Sequence, residues 1–169
     1  QTFQREKDTI PGLYDTDFSL FSYVFKDVRR TIDYLETRRD IDINKLAISG
    51  ASFGGAMASM VPAVEERLRV LVLVISGLCW EFKRMPEMDQ INFVTRVKIP
   101  TLILSGRYDP FFSFEYNVKP LYDLLGTLPR DKKLVVYETD HYIPYRELVK
   151  ETLGWLDKYF GPAKSGESR

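Results

Sequence analysis

The chain has 169 residues, 44% of them apolar, and its 24 lysines and arginines balance 24 aspartates and glutamates. That is enough for one domain with a core, too short for two such domains and too apolar for a disordered chain. The charge balance excludes a global field that would draw in nucleic acid or an anionic membrane. The basic pairs Arg29-Arg30 and Arg38-Arg39 stand among Asp27, Asp33 and Glu36, and read as a mixed, solvated face. Cys79 is the single cysteine, so no intrachain disulfide forms, and no CxxC or histidine-rich spacing points to a metal. A cytoplasmic setting is the expectation. The longest apolar run, Val70 to Ile75, is far short of the ~20 residues a membrane span needs. Gln1 to Asp8 is polar with both charge signs, unlike a signal peptide, although the chain begins with glutamine.

Residues 1 to about 20 lack periodicity and are punctuated by Pro11, Gly12, Asp15 and Asp17, which predicts a loop. From Tyr23 to Arg38 the stripe Val24, Val28, Ile32 and Leu35 predicts a helix, broken by Asp40, Asp42 and Asn44. Lys45 to Ser49 is a short apolar run ending at Gly50 and predicts a buried strand. Phe53 to about Val64 predicts a helix whose far end Pro62 disturbs. Arg69 to Ser76 is a β-branched strand closed by Gly77. Trp80 to Val97 is amphipathic and reads as one or two short helices. Thr101 to Ser105 is a third buried strand, Asn117 to Leu125 a helix, Leu134 to Tyr137 a fourth strand, and Tyr145 to Phe160 a closing helix. The tail from Gly161 reads as disordered. Strands alternating with helices make a parallel sheet with helices on both faces, one domain over 1–160 with a 161–169 tail.

Gly50-Ala51-Ser52-Phe53-Gly54 fits G-x-S-x-G, with a strand before it and a helix after it. In that setting Ser52 occupies a strained turn that lifts its hydroxyl above the sheet edge. Gly50 and Gly54, without Cβ atoms, are expected to admit close backbone approach. The helix start favours a developing anion, and the Phe53 amide is the expected oxyanion donor. A serine hydroxyl needs a base, and that base needs an orienting acid. His141 is the only histidine, and it follows the last strand. Loops at the carboxyl ends of strands are where open α/β sheets bind ligands. Asp109, in Ser105-Gly106-Arg107-Tyr108-Asp109-Pro110, lies between the two in chain order. Asp140 is the rival, but its side chain and that of its neighbour His141 tend to diverge in an extended loop.

Ser52, Asp109 and His141, each after a strand and in that order, resemble the α/β-hydrolase family. Within it, Asp42 to Gly55 (DINKLAISGASFGG) and Ile99 to Asp109 (IPTLILSGRYD) are similar to the dienelactone-hydrolase and prolyl-oligopeptidase-like branch. Asp89-Gln90-Ile91-Asn92-Phe93 and the run around His141 also resemble hydrolase-like domains appended to some bacterial protein kinases. The resemblance covers roughly residues 23 to 160. It implies an esterase, lactonase, thioesterase or peptidase that works without a cofactor.

The family sheet has about eight strands with the nucleophile turn after the fifth, whereas here one helix and one loop precede it. The resemblance therefore implies a chain truncated at its N-terminal side, with about four strands and without the loop that gives the second oxyanion donor. The expected function is hydrolysis of a small-molecule ester through an acyl-enzyme. A peptidase and a non-catalytic interaction module are the alternatives. Trp80, Phe82, Phe111 and Phe112 are candidates for an apolar pocket or for the core. The first strand, lacking an outer neighbour, is expected to pair with another polypeptide: a second copy, giving a homodimer, or a separate N-terminal half.

Overall fold

In the computed structural model, residues 13–79 and 88–163 are described, residues 13–20 by their backbone alone. The elements run α1 (Leu13–Glu36), β1 (Ala47–Ala51), α2 (Phe53–Ala58), β2 (Val70–Val74), α3 (Ile91–Val94), β3 (Thr101–Gly106), α4 (Lys119–Leu124), β4 (Lys132–Tyr137) and α5 (Tyr145–Phe160). A single π-type turn, Phe114–Val118, leads into α4. The strands form a four-stranded sheet in the order β1-β2-β3-β4, and every pairing is parallel.

The unbroken apolar runs of β2 and β3 follow from burial on both faces. Leu71, Leu73 and Ile103 point to the side of α2, α3 and α4, where they pack with Ala58, Val94 and Leu121. Val70, Val72, Val74, Leu102 and Leu104 point the other way, onto Trp155 and Leu156 of α5. Thus α5 covers one face and α2 to α4 the other, as the alternating pattern requires. Helix α1 packs on the α2 side through Phe21 against Met57 and Met60, and through Ile32 against Val61 and Leu68.

Several features of the sequence reading change. The helix expected from Tyr23 begins ten residues earlier, at Leu13, so residues 13–20 are not loop. Asp15 and Asp17 stand near the start of the helix, where negative residues suit its positive end. The helix expected to run to about Val64 stops at Ala58, and a short 3-10 turn holding Pro62 follows. In the 80–97 stretch one short helix, α3, stands at 91–94, while 80–87 and the expected disordered end at 164–169 lie outside the described residues. No helix among the described residues is long and apolar enough to cross a membrane.

Strand β1, expected as a buried strand over Lys45 to Ser49, runs instead over Ala47–Ala51 after a 3-10 turn at Ile43–Lys45, and none of its residues is buried because it stands at the sheet's edge. Its Ala47, Ser49 and Ala51, in register with Val70, Val72 and Val74, are exposed on the face that α5 covers farther along the sheet. On the other face an apolar groove of about 220 Å³ runs between β1 and α1, lined by Val28, Ile32, Leu35, Leu46 and Ile48.

Helix α1 is fastened to the chain after α2 by a buried carboxylate. Glu65 accepts three hydrogen bonds from Arg67, one from its backbone N–H at 3.1 Å and two from its guanidinium at 2.8 and 2.6 Å, and Arg67 reaches Asp33 and Glu36 of α1 at 2.7 and 3.1 Å. The hydrogen bonds from Arg67 hold the Glu65 carboxyl below its ordinary value, against the upward push of its burial. A carboxyl depressed in the folded state contributes stability above its unfolded value and loses it as pH falls through its folded value. Glu65→Gln is therefore expected to cost about 1.5–3 kcal/mol near neutral pH. The gap to the wild type narrows as the solution is taken below the carboxylate range. Urea midpoints at the two conditions check this, and a pH-independent gap would contradict it.

Candidate active site

At the end of β1 the chain turns from strand to helix within one residue. Ser52 sits there at φ 53°, ψ −126°, a left-handed conformation that costs a non-glycine residue about 1–3 kcal/mol. Its N–H donates to Val74 O of β2 at 3.0 Å, and its carbonyl accepts from Gly55 and Ala56 as α2 begins. The glycines that make the turn possible differ in part from those expected. A Cβ on Gly50 would lie 2.3 Å from Gly54 O, and one on Gly55 would lie 2.6 Å from the Ser76 Cβ and 2.8 Å from Gly50 O. Gly54, the second glycine of the motif, has nothing within 4 Å. The close approach belongs to Gly50 and Gly55, because the helix turns residue 54 outward and residue 55 onto β2.

The loops after β3 and β4 are joined along their backbones. Arg107 N–H donates to Tyr137 O and Tyr108 N–H to Thr139 O, while the Arg107 and Tyr108 side chains both reach Glu138. Gly106 lies so close to the second loop that a Cβ there would sit 1.9 Å from Asp140 O. This contact carries Asp109 up to His141. The Asp109 side chain, fully buried, places Oδ2 2.7 Å from His141 Nδ1, and its Oδ1 accepts the N–H groups of Phe111 and Phe112. His141 Nε2 lies 2.9 Å from Ser52 Oγ. Asp109 accepting from Nδ1–H leaves Nε2 as the acceptor that faces the serine hydroxyl. The ring is held between Phe111, edge-on at 5.0 Å, and Phe112, stacked at 6.3 Å.

The structure thus brings Ser52, His141 and Asp109 together. Phe53, the expected oxyanion residue, is the first residue of α2, beside Ser52. Asp140, the rival acid, has its carbonyl beside Gly106, and it is Asp109 whose carboxylate meets His141 Nδ1. A cleft of about 310 Å³ opens over Ser52, lined by Phe53, Leu78, Cys79, Phe111, Phe112 and Asn117. Of the aromatics proposed for a pocket, Phe111 and Phe112 line it, and Trp80 and Phe82 lie outside the described residues. Leu78, Cys79 and Asn117 are additions. Leu78 and Cys79 follow β2 after Ile75, whose φ of 43° turns the chain there. A position just past a strand's carboxyl end was a usable signal for both. Asn117, inside a helical turn, carries none. The described residues contain no group of three or more His, Cys, Asp or Glu that could hold a metal ion.

A parallel sheet carrying these three residues at its carboxyl edge is the fold of the α/β-hydrolases. Residues 4–105 match the acetyl xylan esterase (AXE1) family, and the chain belongs to it. Solved structures agree in fold. A cold-adapted esterase from an Arctic intertidal metagenomic library superposes with a TM-score of 0.69 at 23% identity, over 82% of this chain and 59% of that one. An acetyl xylan esterase from Paenibacillus sp. R4 gives 0.68 at 19% identity, over 80% and 52%. A Klebsiella pneumoniae protein assigned as a dienelactone hydrolase gives 0.69 at 20%, over 89% and 68%. The chain thus spans about six-tenths of the length of the Arctic esterase.

The glycine geometry separates two substitutions that the motif alone treats alike. Gly54→Ala is expected to leave the melting temperature unchanged or raise it, since alanine suits a helix interior by about 0.5–1 kcal/mol. Gly55→Ala is expected to destabilise by about 1–3 kcal/mol, the cost of overpacking. Thermal melts of the two variants check this, and equal effects would contradict it.

Proposed function

We propose that this chain carries the acyl-transfer chemistry of a serine esterase that cleaves small acyl esters, with acetyl foremost. The observation that carries the reading is the continuous line from Ser52 Oγ through His141 to Asp109, at 2.9 and 2.7 Å. Ser52 Oγ attacks the ester carbonyl while His141 Nε2 takes its proton, and Asp109 steadies the imidazolium that forms. The carbonyl oxygen becomes an oxyanion, toward which the Phe53 N–H donates. The intermediate collapses, the alcohol leaves with the proton from Nε2, and Ser52 is acylated. Water then gives its proton to Nε2 and attacks the acyl carbon. The carboxylic acid departs as Nε2 returns the proton to Ser52 Oγ. Family membership favours an ester over a peptide substrate.

The open edge of β1 enters the same reading. A parallel strand added there would end beside Ser52, where a loop after it could give the second oxyanion donor. Losing one of two such donors costs about 10²–10³-fold in rate. The exposed, uncharged edge and the apolar groove beside it support pairing with a strand from another polypeptide, a second copy or an N-terminal portion. Light scattering at micromolar concentration is expected to show a particle heavier than one 19.7 kDa chain. A clean monomer would count against self-pairing.

The catalytic assignment is tested with p-nitrophenyl acetate and a fluorophosphonate probe. Ser52→Ala is expected to lose about 10⁴- to 10⁶-fold in kcat and all labelling, and Asp109→Asn about 10⁴-fold in kcat. A wild type that neither turns over nor labels would mark a non-catalytic module on a hydrolase scaffold.

A further inference from the structure

Gln90 belongs to the Asp89-to-Phe93 stretch, and the proposed chemistry makes no use of it. Its side chain nevertheless lies in the core, with the residue 1% exposed. A polar group buried to that extent has to be hydrogen-bonded, and all of this amide is engaged. Gln90 Oε1 accepts the N–H of Cys79. Nε2 faces Ser59 Oγ at 3.0 Å, Ala56 O at 3.1 Å and Gly77 O at 3.3 Å. One donor on one side and three acceptors on the other fix which way the amide points.

These partners come from two places. Ala56 is in α2, the helix that begins at Ser52, and Ser59 caps its end. Gly77 and Cys79 flank Leu78 in the loop after β2, and Leu78 and Cys79 line the cleft over Ser52. A single buried amide therefore ties the wall of the cleft to the helix that carries the nucleophile. The opposite side of the loop is fastened separately. Leu78 N–H donates to Asn117 O at 3.0 Å, and Asn117 Nδ2 donates to Leu78 O at 2.7 Å. Only glycine fits at position 77, because a Cβ there would come within 2.8 Å of Asn117.

We propose that Gln90 is a positioning residue that sets the distance between Ser52 and the Leu78–Cys79 wall, and so limits the length of acyl group the cleft admits. The inference rests on the esterase reading for its substrate, but its structural half stands apart from it. An apolar side chain at position 90 would take from the Cys79 N–H the acceptor Gln90 Oε1 and from the Gly77 carbonyl the donor Gln90 Nε2. The wall would then move toward water, and the cleft would lengthen.

Two measurements test this. In the wild type, the Cys79 amide is expected to exchange with deuterium as slowly as the amides of β2. Exchange at the rate of an open loop would overturn the proposal before any variant is made. In Gln90→Met, which keeps the side chain's length and flexibility, that protection is expected to fall while β2 stays protected. The ratio of kcat/KM for p-nitrophenyl hexanoate over acetate is expected to rise about tenfold, the scale at which methylenes are discriminated in apolar pockets. If both esters slow by one common factor, Gln90 is merely structural and the proposal is wrong. If the variant does not fold, the wild-type exchange result decides. If the wild type hydrolyses neither ester, the esterase reading fails, and the exchange data still decide whether the amide clamps the wall.

Discussion

A chain leaving a parallel strand and entering a helix at once has almost no conformational freedom, and the architecture of the site depends on how this is met at residues 50–55. Two backbones pass within a Cβ's reach of each other, Gly50 against Gly54 and Gly55 against Gly50 and Ser76. Between them Ser52 is forced to positive φ and its hydroxyl is raised to the carboxyl edge of the sheet. The strain is sustained because the surroundings over-determine it. The Ser52 N–H is bonded to β2, its carbonyl opens α2, and α2 is packed on the sheet through Ala58. A serine on a relaxed loop would have no such fixed relation to the neighbouring strands.

The second requirement is that β3 and β4 deliver Asp109 and His141 to that point. They do so as one body. Backbone hydrogen bonds from Arg107 and Tyr108 join the two loops, and Gly106 allows the contact. Asp109 is then held by His141 Nδ1 and by two backbone N–H groups, which leaves its carboxylate no competing geometry. The flanking Phe111 and Phe112 rings confine the imidazole. Phe112 is core and Phe111, 71% exposed, is at the surface, so the aromatic pair expected to belong either to a pocket or to the core belongs to both.

What the sequence made legible follows from which forces are local. β2 and β3 announce themselves because a strand covered on both faces carries an unbroken apolar run, Val70 to Val74 in one and Leu102 to Leu104 in the other. The order of Ser52, Asp109 and His141 could be read because each follows a strand, although only the strand before Asp109 is buried on both faces. The start of α1 was legible and passed over: Tyr14, Phe18, Phe21 and Phe25 stand at helical spacing and run on into Val28 and Ile32, but the turn-forming residues Pro11, Gly12, Asp15 and Asp17 around them suggested a loop. Gly54 and Gly55 are indistinguishable as letters; only the direction each takes from α2 separates them. Gln90 looks like a surface residue beside Asp89, and nothing local reveals that its amide meets groups from α2 and from the loop after β2. Asn117 is hidden for the same reason: its partners lie 39 residues away along the chain.

The central claim is that Ser52 Oγ becomes covalently acylated. Mixing the protein with p-nitrophenyl acetate, quenching in acid within the first turnovers and mapping peptide masses tests it most directly. The account predicts one acetyl group, on the peptide that contains Ser52, disappearing as hydrolysis completes. Acetyl found elsewhere, or turnover with Ser52 never modified, would contradict it.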